Sequence, residues 1–369
     1  MSAPKPDPSS GGRAPRLLCL VSLPPPVTGR TIATSRFLER LGRSASLSVV
    51  DLSGGAAVSN RGRSGKALKS LGWILRLAFG ASRCFDHVYV VANHGSGLWF
   101  DIAFAAMARL WGTPVVVHHH VFSYFNRRRR RVALLFRLTG RGCRHLLLCD
   151  RMRSACAALY PTSARLEVLP NFGAGKTPVG GSPAGPDGDS PIELVFLSNL
   201  TREKGIEDIL ALARRFAGNE RVVFRVAGPA MDEAVADSLR RCSSECPDTF
   251  EWLGPVDAEK RSELLASADL FLFPTRYANE AQPLVLIESL EAGVPVLANA
   301  RGCIGEMIGE GSGLLVAEDE QFVETAARVI ERMLSDDAYR AEVRDLAPQL
   351  AAGMAGRAER ALERFAAQL

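Results

Sequence analysis

The sequence predicts an α/β fold of two Rossmann-like domains, and three observations carry that expectation. Short β-rich apolar runs alternate with helix-like stretches, the alternation occurs as two separate series, and a segment almost free of apolar side chains divides them. Hydrophobic residues make up 47% of the 369, enough for two cores of ordinary size. The 8 cysteines are too dilute for a disulfide scaffold, and neither a cleavable signal nor a long apolar span is evident. A reducing cytoplasm is therefore the expected setting.

Residues 1–15, rich in Pro, Ser and Gly, read as a disordered lead-in, and 16–172 as the first domain. "RLLCLVSL" is a buried first strand that stops at Pro24, Pro25 and Pro26. Gly29 and a helix from Thr31 to Leu41 complete the opening strand–turn–helix unit. "SLSVVDL", "HVYVVAN", "TPVVVHHH", "HLLLCD" and "RLEVLP" follow as short runs suited to a parallel sheet covered on both faces. Residues 173–191 form a Gly/Pro-rich linker. The tight pair Asp187 and Asp189 falls there, as a solubilising loop rather than a metal carrier.

The second series, 192–369, contains "IELVFLSNL", a helix from about Ile206 to Phe216, "RVVFRVAG", a helix near Asp232 to Cys242, "TFEWLG" and a helix near Lys260 to Ser267. "LFLFP", a helix near Pro283 to Ala292 and "PVLAN" complete it. In two doubly wound sheets, ligands belong outside the carboxyl ends of the strands, here in a cleft between the domains.

Candidate chemistry concentrates in "FPTRYANEAQPLVLIESLEAGVPVLAN". Glu280 lies in the loop after "LFLF", and Glu288 lies eight residues later within the next helix. A carboxylate accepts two hydrogen bonds from vicinal hydroxyls without rotating. Spacing alone, however, favours two solvated acids. Proline suits the first turn of a helix, whose free N–H groups attract an anion, so the start near Pro283 is a second binding feature.

All 6 histidines fall in the first half. Strand alternation turns His118 and His120 to one face and His119 to the other, so the three cannot converge on one ion and no metal is expected. Cys242 and Cys246 share a helix face but lack further ligands at zinc spacing. Gly29 leaves room for backbone to approach a phosphate or sugar, although "PPPVTG" is no dinucleotide fingerprint.

This segment resembles the E-x7-E region of family-4 retaining glycosyltransferases, as do "FLSNLTREKGIEDIL", "VAGPAMDE", "FEWLG" and "ARGCIGEMI" in their usual order. The likeness is strong over roughly 192–310 and weaker over 16–172, where "LPPPVTGR" and "VLPNF" carry it. It implies a GT-B fold with an inter-domain cleft, retention at the anomeric carbon and a nucleoside-diphosphate sugar donor, with UDP favoured over GDP and no cofactor. It also implies that Glu288 holds the donor ribose and that Glu280 lies beside the transferred sugar. The backbone of Ala281, Gln282, Pro283 and Leu284 is implied near the diphosphate. Lys204 matches the family's diphosphate lysine, His120 its cleft histidine with His118 as the same-face alternative, and Gly29, followed by Arg30, its glycine loop.

Two departures stand out. Asn199 occupies the position of a family arginine, leaving Arg202 as the nearest substitute, and Gln282-Pro283 replaces a Phe-Gly pair. Other readings are another GT-B enzyme, such as a sugar-nucleotide epimerase or a phosphorylase, or a non-catalytic membrane adaptor.

Charge bears on the acceptor. Residues 1–172 carry 25 Lys or Arg against 7 Asp or Glu, whereas 173–369 carry 20 against 33. Arg127 to Arg131 and the basic, apolar "KALKSLGWILRLAFGASR" suit a peripheral enzyme on an anionic cytoplasmic leaflet. The expected acceptor is a polyprenyl-phosphate-linked saccharide or a glycolipid of a cell-envelope pathway. Nucleic-acid motifs are absent, and a solvated basic face over a buried helix is the plainer alternative.

Overall fold

The computed structural model describes residues 13–54, 60–175, 191–309, 312, 314–317 and 320–369, the side chains of 60–63 excepted. Most of the expected lead-in and linker, with Asp187 and Asp189, lies outside these. The chain divides into two compact units, Met1–Phe172 with Gly356–Leu369, and Gly173–Ala355.

The first unit holds strands β1 (Arg16–Val21), β2 (Ser46–Asp51), β3 (His87–Ala92), β4 (Val115–His119), β5 (Arg144–Leu147) and β6 (Arg165–Val168). They pair in parallel in the order β2-β1-β3-β4-β5-β6. Helices α1 (Gly29–Leu41), α2 (Asn60–Ala78), α3 (Leu98–Leu110), α4 (Ser123–Asn126), α5 (Arg130–Leu138) and α6 (Asp150–Leu159) connect them. The inner strands β3, β4 and β5 are buried along nearly their whole length, whereas edge strand β2 is largely exposed. Continuous apolar runs inside a sheet covered on both faces have this origin.

The second unit repeats the plan with β7 (Ile192–Leu197), β8 (Val222–Ala227), β9 (Phe250–Gly254), β10 (Leu270–Phe273), β11 (Val296–Asn299) and β12 (Leu315–Val316), ordered β12-β11-β10-β7-β8-β9. Its helices are α7 (Ile206–Arg215), α8 (Glu233–Glu245), α9 (Ala258–Ser267), α10 (Leu284–Glu291), α11 (Ile304–Ile308) and α12 (Phe322–Ser335). The last helix, α13 (Asp337–Ala366), begins in this unit. Arg340 and Arg344 both reach Asp269 from it, at 2.8 and 3.0 Å.

The sequence reading assigned everything to residue 369 to the second domain, and here the structure differs. Residues 356–369 belong to the first unit. Phe365 packs against Phe37 of α1, and the buried Arg144 guanidinium lies 4.3 Å from its ring centre while Glu167 holds the same guanidinium through two 2.7 Å hydrogen bonds. Such a contact spans more than 300 residues of chain and leaves no local periodic signal.

The first unit also buries His118, His119 and His145, with His120 half-buried beside them. His118 and His120 share a face with rings 4.2 Å apart, and His118 Nδ1 lies 2.9 Å from the Tyr89 hydroxyl. On the opposite face a chain of hydrogen bonds runs through the core. Thr139 donates to the Leu135 carbonyl at 2.8 Å, so its oxygen accepts from His145 Nε2 at 2.7 Å. His145 Nδ1 then accepts from His119 Nε2, and His119 Nδ1 from the Tyr124 hydroxyl, both at 2.9 Å. This direction requires both rings to be neutral. Burial pushes His118 and His119 well below the usual histidine value, and takes His120 and His145 down to about 3.

These four rings make the fold acid-sensitive. The unfolded chain takes up protons below about 6.5 that the folded chain refuses, so the stabilisation is complete above that pH and is lost as pH falls towards the folded values. Each ring contributes up to about 1.4 kcal/mol per pH unit. Asp101, pushed up to about 6 by burial, opposes this between its folded and ordinary values, but it is one group against four. Urea denaturation is expected to show a markedly lower midpoint near pH 5 than near pH 7; equal midpoints would mean that the rings are charged in the fold.

Candidate functional site

In the second unit the strand order reverses between β7 and β10, which pair in parallel. The loops leaving their carboxyl ends therefore flank the crevice where a doubly wound sheet receives a ligand. The first loop carries Lys204, whose backbone N–H is capped by Thr201 Oγ1 at 3.2 Å. The second carries Glu280, whose N–H donates to the Tyr277 carbonyl at 3.0 Å.

Lys204 Nζ donates directly to Glu280 Oε2. Thr275 Oγ1 reaches the same carboxylate oxygen at 3.3 Å. The ammonium also lies 4.9 Å from the Tyr277 ring centre and 5.6 Å from that of Phe273. Both charged side chains are mostly buried, at 19% and 10% exposure. Removing two charges from water offsets most of their attraction, so the pair adds little net stability and its main effect is to hold both groups in place.

Two glycines close the crevice. Gly205 has φ +86°, and a Cβ there would lie 2.5 Å from the Pro274 carbonyl oxygen. Gly302, with φ +58°, would place one 2.4 Å from the Glu280 carbonyl oxygen. The loops after β7, β10 and β11 thus approach through backbone that only glycine permits. The helix α10 begins just beyond Glu280. Pro283 is its N-cap, no side chain caps it, and its first amides are oriented to receive an anion.

The remaining sequence-predicted residues separate into groups. Glu288 lies on α10, largely buried, and pairs with Arg261 of α9 at 3.4 Å. Gln282 is buried and Leu284 opens α10. Asn199 is exposed. Arg202 is 69% exposed and pairs with Glu207 at 3.5 Å. Sequence reasoning missed Thr275, Arg261, Gly205 and Gly302. Gly205 directly follows Lys204 in "TREKG", but the partner that forces a glycine there is 69 residues away.

The first unit has its own switch point, between β1 and β3. Gly29 opens α1 after β1, and a Cβ there would meet no protein atom within 4 Å, so the fold itself does not demand glycine. His120 follows β4 with Nε2 buried and without a hydrogen-bond partner among the described residues. No group of three or more possible metal-ligating side chains occurs among the described residues, Cys242 and Cys246 included.

The basic surface is also in this unit. Arg127 to Arg131 are exposed, and the last two occupy the first turn of α5, where no acidic residue balances the positive end of the helix dipole. Helix α3 packs against both α2 and α5. Along α2, Leu68, Leu71 and Leu75 are exposed at helical spacing, with Phe79 just beyond at 88% exposure. No helix among the described residues is long and apolar enough to cross a membrane.

Comparison with known proteins adds the following. The family model of glycosyl transferases group 1 matches residues 184–349. Alpha-maltose-1-phosphate synthase of Mycolicibacterium smegmatis is 30% identical over 186 residues, covering 49% of this chain and 46% of that protein. The GDP-mannose-dependent monoacylated alpha-(1-6)-phosphatidylinositol monomannoside mannosyltransferase of Corynebacterium glutamicum is 26% identical over 167 residues, covering 44% and 40%. The chain thus spans less than half the length of these curated relatives. The crystal structure of Anabaena HepE in complex with UDP superposes with a TM-score of 0.72 at 15% identity, over 96% of this chain and 99% of that one. The fold of the chain is accordingly that of the GT-B proteins, two Rossmann-like α/β domains with parallel sheets.

Proposed function

We propose that the protein is a retaining glycosyltransferase that moves a sugar from a nucleoside-diphosphate sugar to a hydroxyl of a lipid-linked saccharide or glycolipid. The observation that carries this reading is the Lys204–Glu280 pair at the switch point of the second unit, beside the uncapped start of α10. The group 1 glycosyl transferase match over the same residues supports it. A UDP-sugar is favoured as donor, in keeping with UDP bound to the similarly folded HepE.

In this reading the donor diphosphate lies against the α10 amides near Gln282 and Leu284. Lys204 neutralises the charge that develops on the departing diphosphate, a task that needs no metal. Glu280, already fixed by Lys204 and Thr275, accepts hydrogen bonds from hydroxyls of the transferred sugar. Glu288, oriented by Arg261, accepts from the ribose hydroxyls. Arg202 supplies the second positive charge in place of the arginine replaced by Asn199. To the first unit this reading gives the acceptor, with Gly29 as a phosphate-binding position and His120 as a neutral hydrogen-bonding group for the sugar. The glycosidic C–O bond breaks and the new bond forms on the same face, while a departing phosphate oxygen takes the acceptor's proton. Water exclusion around the reacting groups limits donor hydrolysis.

The acceptor follows from the basic surface and from the mannosyltransferase relative, whose acceptor is named as a phosphatidylinositol mannoside. An anionic leaflet attracts Arg127 to Arg131, each worth on the order of 1 kcal/mol near such a surface, and the α2 stripe adds apolar contact. The enzyme then works as a peripheral protein on the cytoplasmic face.

Three outcomes are expected. Lys204→Ala lowers diphosphate release from the accepted nucleotide sugar by on the order of a hundredfold with little change in melting temperature; unchanged turnover removes Lys204 from the chemistry. Glu288→Gln weakens UDP binding about tenfold by calorimetry, and an unaltered affinity would take Glu288 out of the nucleotide site. Replacing Arg127 to Arg131 with serine reduces sedimentation with anionic liposomes while UDP affinity stays the same. Equal sedimentation of both proteins, or of neither, points instead to a soluble acceptor.

A further inference from the structure

At the switch point of the first unit, two cations converge on one neutral oxygen. Arg30 Nη1, in the first turn of α1, donates to Asn93 Oδ1 at 3.0 Å, and Lys66 Nζ, from α2, approaches the same oxygen at 3.5 Å. Neither cation has an ion-pair partner among the described residues. The one carboxylate behind them, Asp101, is buried, and both its oxygens are occupied by Asn93, through the backbone N–H at 2.7 Å and Nδ2 at 2.8 and 3.1 Å. Gly97 packs close over Asn93, where a Cβ would meet the Asn93 Cβ at 3.0 Å, and the bonds to Asp101 hold the amide with its oxygen towards the cations.

Burial and the neighbouring Arg30 push Lys66 below the usual lysine value, against the opposing pull of Asp101 and Asp51, and burial, Arg30 and Lys66 lower His94. Arg131, at the end of the arginine run, donates to the Gly95 carbonyl at 3.3 Å, bringing a further cation to the same loop. Ser70, only 1% exposed, lines the same cavity and its hydroxyl has no hydrogen-bond partner among the described residues. The cavity has a volume of about 20 Å³, room for roughly one water, so neither a sugar nor a phosphate fits inside, and a ligand would meet the half-buried Arg30 and Lys66 from outside it. Two cations that share a single neutral acceptor and make no ion pair among the described residues are suited to an anion with several acceptor oxygens.

We infer that Arg30 and Lys66, held on Asn93, form a phosphate-binding site in the first unit that receives a phosphoryl group of the acceptor. A phosphate presents enough oxygens for the guanidinium fork and the ammonium to be satisfied together, which a neutral hydroxyl does not. The source of the phosphate, an acceptor, rests on the glycosyl-transfer reading; the site itself does not.

Calorimetry on the full chain at low salt, with inorganic phosphate as probe, tests it. Wild type is expected to bind phosphate equally well with and without saturating UDP. Lys66→Gln is expected to weaken phosphate about tenfold while UDP affinity is unchanged, and Arg30→Gln to weaken phosphate likewise. Thermal melts identify whichever variant folds, and either one suffices. Competition by UDP would assign the phosphate to the donor, and wild-type affinity in a folded variant, or no binding by wild type, would equally overturn the site. Sedimentation with phosphatidylcholine vesicles, with and without phosphatidic acid, separates the sources. Lys66-dependent binding only to the acidic vesicles supports a lipid headgroup, and phosphate binding without it supports a soluble phosphorylated acceptor. Failure of UDP to bind anywhere defeats the donor reading and leaves the phosphate result standing.

Discussion

Sealing a parallel sheet on both faces leaves a polar group few places to go. The inner strands of the first unit bury nearly every side chain, and β7, β8 and β10 are similarly enclosed. Charge that must remain available is therefore displaced to the carboxyl ends, where the chain leaves the sheet and helices present free amides. At the two points where strand order reverses, the loops diverge, and at both of them charged groups meet across that divergence. Lys204 meets Glu280 in one unit, and Arg30 meets Lys66 over Asn93 in the other.

The two meetings are chemically unlike. In the second unit opposite charges are matched, and the same matching recurs in Arg261 with Glu288 and in Arg340 and Arg344 with Asp269. A ligand arriving there exchanges one polar partner for another. In the first unit positive groups face one another across a neutral amide, and the histidines nearby are held uncharged by burial. There an anion supplies compensation that the protein lacks.

How much of this the sequence disclosed depends on the range of each interaction. Strand runs such as "HVYVVAN" and "TPVVVHHH" announce inner strands because sealing both faces leaves no polar alternation to conceal them. The Rossmann rhythm and the opposite facing of His119 follow from the same local periodicity. Glu280 and Lys204 were legible as candidates through resemblance, but not their contact, because 76 residues separate them. Arg202 was legible as the nearest substitute for the missing arginine, but its pairing with Glu207 was not. Asn93 and Lys66 fell within a strand run and a basic stretch without being singled out, and only strand order brings them together.

The return of residues 356–369 to the first unit bears on the order in which the protein is made. The core around Phe37 and Arg144 includes Phe365, so it remains unfinished while the whole of the second unit is synthesised. At ordinary translation rates of about 5–20 residues per second, that interval is roughly 10–40 s. The second unit has all of its own chain in hand before the first does, and the usual sequence in which an amino-terminal domain matures ahead of its successor is reversed. During that wait Phe37 already has Tyr89 and His118 against its ring, and what stays open is the side that Phe365 will close.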